Sequence, residues 1–175
     1  GDGHAMSPRF RRRRSTPEAP SDDLVPPALF DAAWYENVSG QPGDAVQLWR
    51  HYQSTGSARG LSPSPYVDVA HCRARHPDWR ASPTLVEHLL GRIAAGEDID
   101  PHPLFSSAEY REEHPDVAAE GDSPILHFVI HGDAEGRSPS SRFDATFYRT
   151  TYLPLESSRP FRHYVERGAA LGYIP

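Results

Sequence analysis

The sequence predicts an all-α protein: four repeated helix pairs with a period of about 36–39 residues, stacked as a short α-solenoid or a compact helical bundle, behind a disordered N-terminal tail. Three observations carry this. Aromatic and histidine anchors recur at that period. Good helix-capping residues stand at the same place in successive units. Apolar residues between the caps fall at helical spacing. With 18 prolines and 13 glycines in 175 residues, the elements must be short and often interrupted.

The tail comes first. Residues 1–5 precede Met6 and read as a cloning remnant, and Met6 as the natural start. A basic run follows, with Arg9, Arg11, Arg12, Arg13 and Arg14, and then Ser, Thr, Pro, Glu and Asp as far as Asp23. No apolar segment follows the arginines, so they are not a secretory n-region. Residues 1–23 read as a disordered Arg-rich tail and 24–175 as the helical-repeat domain. The arginines are candidates for peripheral contact with an anionic membrane surface. The net charge is −6 and every basic residue is arginine. Because the acidic residues lie mostly in the body, the body is expected not to bind nucleic acid, whose phosphates it would repel.

The units are residues 29–64, 65–103, 104–142 and 143–175. Each opens on an aromatic: Phe30, Tyr66, Phe105 and Phe143. Five residues on stand Tyr35, His71, Tyr110 and Tyr148. A histidine recurs at His51, His88, His127 and His163, and two glycines four residues apart close three of the units: Gly56 and Gly60, Gly132 and Gly136, Gly168 and Gly172.

The first helix of a unit starts after Asp31, Ser106 or Asp144, whose side-chain oxygens can accept an amide of the first turn. The opening aromatic and the one four residues past the cap have hydrophobic-staple spacing. The helix stops at His76-Pro77 and His114-Pro115, since a residue before proline avoids the α region. The second helix starts at Ser82-Pro83 and Ser123-Pro124, with Asp44 and Ser158 as caps in the other units. Its apolar face includes Ile125, Phe128 and Val129, or Phe161, Tyr164 and Val165. It ends at Gly132 or Gly168, and Gly/Ser/Pro-rich turns link the units. Eight main helices result. A single pair this short is marginal in water and must lean on its neighbours.

The chemistry-bearing residues read as structural. Four histidines one helix pair apart are too far from each other to share an ion. His127 and His131 are spaced i, i+4, as a metal pair would be, but no third ligand recurs with them. The expected role is a half-buried histidine bonded to a loop carbonyl or an aspartate. Cys72, the only cysteine, rules out an internal disulfide and reads as a small buried residue without a repeated counterpart. Trp34, Trp49 and Trp79 read as core or inter-unit packing. No phosphate loop, nucleophile elbow, HExxH or EF-hand loop is present, so no catalytic residue, cofactor or metal is assigned.

The third unit resembles a bacterial repeat of the form FDxxxY…PDVAxxGxxPLxHYxxxGxxEGRxP. It matches at Phe105, Tyr110, Pro115, Asp116, Val117, Gly121, Pro124, His127, Gly132, Glu135, Gly136, Arg137 and Pro139. The first and fourth units keep fewer of these positions, and the second is the most degenerate, with His71 in the tyrosine place and Asp98 near that of the closing glycine. The repeat is known from regions flanking glycosyltransferase and other polysaccharide-biosynthesis domains and from large repeat-containing surface proteins. The resemblance implies a non-catalytic module for protein–protein interaction, self-association included, or for positioning an attached polysaccharide enzyme in the cytoplasm or at the inner membrane face. The stop at Pro175, right after the fourth motif, is expected of an N-terminal region cut from a longer protein. The alternative is a carbohydrate-binding module whose repeated aromatics stack on sugar rings.

Overall fold

A computed structural model describes residues 25–153 and 158–175. The tail and its arginines Arg9, Arg11, Arg12, Arg13 and Arg14 lie outside the described residues. Those residues hold nine α-helices and no strand: α1 (Ala32–Ser39), α2 (Ala45–His51), α3 (Val69–Arg75), α4 (Leu85–Ala94), α5 (Ser107–Glu113), α6 (Pro115–Glu120), α7 (Pro124–His127), α8 (Ala145–Tyr152) and α9 (Pro160–His163). A π turn extends α2 through Tyr52–Gly56, α7 through Phe128–Gly132 and α9 through Tyr164–Gly168.

Four helices start alike. Asp31, Asp68, Ser106 and Asp144 are extended, and each side chain accepts the amide three residues on, at 2.8, 2.8, 3.2 and 2.9 Å. The residue before each cap closes a tight turn, its amide donating to the carbonyl three residues back: Phe30 to Pro27, Val67 to Ser64, Phe105 to His102 and Phe143 to Ser140. The amides of Asp31, Asp68 and Ser106 also donate to the carbonyls of Pro63, Pro101 and Pro139, at 2.9, 2.9 and 3.2 Å. Each bond ties the start of a segment to the turn that ends it.

This geometry corrects the second unit. Its cap is Asp68, so Val67 stands where Phe30, Phe105 and Phe143 stand, and Tyr66 lies one place earlier. The residue four past the cap is Cys72, not His71. Cys72 is therefore the counterpart of Tyr35, Tyr110 and Tyr148, buried like them, with its Sγ donating to the Pro101 carbonyl at 3.2 Å.

Other starts and stops need adjustment too. α3 and α5 end before His76 and His114 as expected, but Pro115 then opens α6, an additional helix. α4 begins after Thr84 rather than at Ser82-Pro83. Thr84 accepts the Glu87 amide at 3.1 Å and donates to its carboxylate at 2.9 Å, a reciprocal bond at capping-box spacing. Asp44 and Gln47 form the full capping box on α2. Ser158 does not cap α9; that role falls to Asp133, far away in sequence. In the second unit Gly96 (φ +87°), two residues before Asp98, makes the closing turn.

The core is one hydrophobic cluster of mixed aliphatic and aromatic side chains, with its densest ring packing around Phe161. Phe161 packs on Tyr66 with ring centres 5.6 Å apart and nearly parallel planes, and on His102, Phe128 and Phe143 at 4.9, 5.5 and 5.5 Å. Trp49 and Trp79 are buried as expected, while Trp34 is half-buried and its indole donates to Ser62. α9 also reaches back to α1, for Arg162 donates to Asp31 across a separation of 131 residues.

Candidate functional site: a buried polar centre and three tyrosine–histidine pairs

The anchors meet in pairs. The hydroxyls of Tyr35, Tyr110 and Tyr148 each lie 2.7 Å from Nδ1 of His51, His127 and His163. The expected loop-carbonyl or aspartate partner of these histidines is thus a buried tyrosine hydroxyl. The pairing explains the glycines. A Cβ on Gly56, Gly132 or Gly168 would stand 2.0, 2.2 or 2.2 Å from the oxygen of Tyr35, Tyr110 or Tyr148, well inside contact distance. These glycines end the three π turns, which make room for the hydroxyl.

The second unit inverts each feature together. Cys72 replaces the tyrosine, Ile93 stands five residues past His88 where the others have glycine, and α4 is regular to Ala94. Without a phenol to accommodate, neither glycine nor π turn is needed. His88, having no tyrosine partner, is buried beside His76, with 3.4 Å between ring nitrogens. Burial, reinforced by Arg137, lowers the pKa of His127. The exposed His131 lies with its ring centre 5.7 Å from that of His127. Among the described residues no group of three or more His, Cys, Asp or Glu is placed to hold a metal ion.

The strongest concentration of buried charge was not apparent in the sequence. Asp133, 1% exposed, accepts from the Tyr66 hydroxyl at 2.6 Å and from the amides of Phe161 and Arg162 at 2.9 and 3.1 Å. Arg159 lies 3.5 Å from the Tyr66 oxygen and donates to the Val129 carbonyl at 2.7 Å. Burial pushes the Asp133 carboxyl above its ordinary range, against the pull of those donors, and pushes the Tyr66 phenol far up as well. Next to this group Arg162 holds Asp31. Burial opposes ionisation of Asp31, but the guanidinium and the Trp34 amide outweigh it and hold the carboxyl below its usual value. A shallow depression of about 310 Å³ opens over Asp31, Tyr66, Arg159 and Arg162. The one clue in the sequence is that Asp133 directly follows Gly132, as Ser57 follows Gly56, and both cap a later helix: Ser57 Oγ accepts the Leu85 amide at 3.1 Å.

A larger groove of about 720 Å³ runs between α5 and the start of α8, lined by Glu109, Glu112, Glu113, Asp144 and serines 138, 140 and 141. Glu109 accepts from the Ser141 amide and hydroxyl, so its carboxylate serves to fasten the link between units.

These environments set a pH profile. Burial lowers His102 to about 4, and lowers His76 and His127. The folded state keeps them neutral while the unfolded chain takes protons near 6.5, so stability falls as pH drops below about 6.5. Burial raises Tyr52 to about 12 and raises Tyr66 and Tyr110 as well. Stability therefore also falls as pH climbs past about 10, where unfolded tyrosines ionise. Denaturant midpoints measured from pH 4 to 11 should show a plateau with two falling limbs. His102→Asn should flatten the acid limb, and an unchanged slope would contradict the assignment.

No family model, curated protein or solved structure matches the chain. No helix among the described residues is long and apolar enough to cross a membrane.

Proposed function

We propose that residues 24–175 form a non-catalytic helical-repeat module that binds or positions another protein, in the polysaccharide-enzyme setting implied by the resemblance of the third unit. The four units are read as stacked and closed on themselves, a compact bundle rather than an open solenoid. In an open array each unit touches only its neighbours. Here Arg162 of the last unit holds Asp31 of the first, and Tyr66 of the second reaches Asp133 of the third and Phe161 of the fourth.

The observation that carries this reading is where the recurring polar groups go. Tyr35, Tyr110 and Tyr148 are engaged by histidines, the cap amides by proline carbonyls, and the buried carboxylate by a distant helix. These residues bond inward, which suits a scaffold. The carbohydrate alternative asks Tyr110 and Tyr148 to stack on sugars, yet both are fully buried. Among the described residues, half-exposed rings such as Trp34, Tyr164 and Tyr173, or the more exposed Phe147, are left to take that part.

Native mass spectrometry of the whole chain, alone and with oligosaccharides of bacterial surface polymers, tests the proposal. The expected result is self-association without saturable glycan binding. Saturable sugar binding lost on Trp34→Ala would favour the alternative. A monomer that takes no glycan would overturn both.

A further inference from the structure

His88 is engaged differently from its counterparts. His51, His127 and His163 each meet a tyrosine hydroxyl through Nδ1. In the third unit Tyr110 lies against both His127 and His114, the residue that follows α5, with ring centres 5.8 and 4.5 Å away. The matching residues of the second unit are His88 and His76, and the tyrosine place holds Cys72, whose Sγ donates to the Pro101 carbonyl. With no phenol to receive them, the two imidazoles meet each other. Nε2 of His88 lies 3.4 Å from Nδ1 of His76.

That gap exceeds the roughly 2.7–3.2 Å usual for an N–H donor. The ring centres are 5.2 Å apart and the planes cross at 70°. Two imidazoles aligned end to end across such a gap would hold their centres farther apart. The rings are therefore bent toward a point beside the line that joins the nitrogens. Two imidazoles on one tetrahedral ion do the same: at about 2.0–2.1 Å from the ion, their nitrogens stand about 3.3–3.4 Å apart. A carboxylate is adjacent. Oδ1 of Asp78 lies 3.9 Å from Nε2 of His88, and the Asp78 side chain is 59% exposed and free to turn. Its other oxygen is 3.4 Å from Arg92, which keeps Glu97 at 3.0 Å as a partner when Asp78 leaves. As they stand the three groups do not enclose an ion. The histidines are at ligand spacing, and the carboxylate is one side-chain rotation short of joining them.

We propose that His76, His88 and Asp78 form a site for a divalent transition ion that favours imidazole and tetrahedral geometry, zinc by this spacing, with water in the fourth place. Buried His88 is the fixed ligand on α4, while half-buried His76, just past α3, and Asp78 close on the ion from the surface side. The ion ties the end of α3 to α4, a junction that the other units make with a tyrosine hydroxyl. Arg92 and Glu97 are the other charged groups acting on His76, the first opposing a cation and the second favouring it. The site goes beyond the scaffold role and does not depend on it.

The probe is zinc chloride titrated into the whole chain, followed by calorimetry and thermal unfolding, with cobalt(II) substituted for its visible absorption. One saturable equivalent, a raised midpoint and a tetrahedral cobalt spectrum are expected. His76→Ala and Asp78→Asn should each weaken binding by about tenfold or more, since even groups that only orient a ligand are worth that much. His131→Ala, which breaks the i, i+4 pair with His127, should leave the affinity unchanged. Circular dichroism without metal checks that each variant is folded. Absence of saturable binding, or zinc held as tightly by His76→Ala, overturns the site. Binding lost in His131→Ala alone overturns it too and moves the ion to the other histidine pair. Full affinity in Asp78→Asn overturns the carboxylate as third donor.

Discussion

Asp133→Ala is expected to destabilise the protein by about 3–5 kcal/mol, the range for removing one partner of a buried charged network. The substitution strands the Tyr66 hydroxyl and the amides of Phe161 and Arg162 in the interior and takes the cap from α9. Asp133→Asn, which keeps an acceptor for one of the amides, should cost less, about 1–2 kcal/mol. Urea unfolding followed by circular dichroism measures both. Because the carboxylate joins the third unit to the fourth, the loss should spread to α9 and to the Arg162–Asp31 contact. Hydrogen exchange would show this as lost protection in residues 160–168. A loss below about 1 kcal/mol for the alanine variant would mean that water or rearrangement satisfies these groups.

The second large effect is expected at a glycine. Gly132→Ala places a methyl group 2.2 Å from the Tyr110 oxygen, so either the π turn or the ring must move. Overpacking of this kind costs about 1–3 kcal/mol, and the displaced Tyr110–His127 bond adds about 1 kcal/mol more. Tyr110→Phe removes the oxygen and should cost about 1–2 kcal/mol by itself. The double variant should then cost clearly less than the sum of the two, with a coupling of about 1 kcal/mol or more. The second unit already carries the corresponding exchange: Cys72 in the tyrosine place, Ile93 in the glycine place and a regular helix over both. Strict additivity would show that the glycine serves the backbone alone.

Local features were the legible part of the sequence. Asp31, Ser106 and Asp144 announce helix starts because capping is a matter of a few neighbouring atoms, and His76-Pro77 announces a stop for the same reason. In the second unit the aromatic pattern points to Tyr66, one residue away from Val67, which holds the place before the cap. Asp68, a good cap followed by Val69, was the better guide. Thr84 and Glu87 had the spacing of a capping box, but Ser82-Pro83 two residues earlier competed with it. The polar centre could not be found this way. Asp133 bonds to Tyr66, Phe161 and Arg162, and only the folded chain brings those groups together. The pairing of tyrosine and histidine was half legible, in that both recur at one period, while their hydrogen bond depends on how the two helices face each other.

The reach of Arg162 back to Asp31 has a consequence for biosynthesis. A linear array can settle unit by unit as it leaves the ribosome, because each piece needs only the one before it. This chain must wait for its final helix before its opening segment finds its ion-pair partner and before Tyr66 gains the ring of Phe161. That closure is long-range, and a polypeptide released shortly before residue 160 would leave the emerging protein with a bared seam for chaperones and proteases to meet.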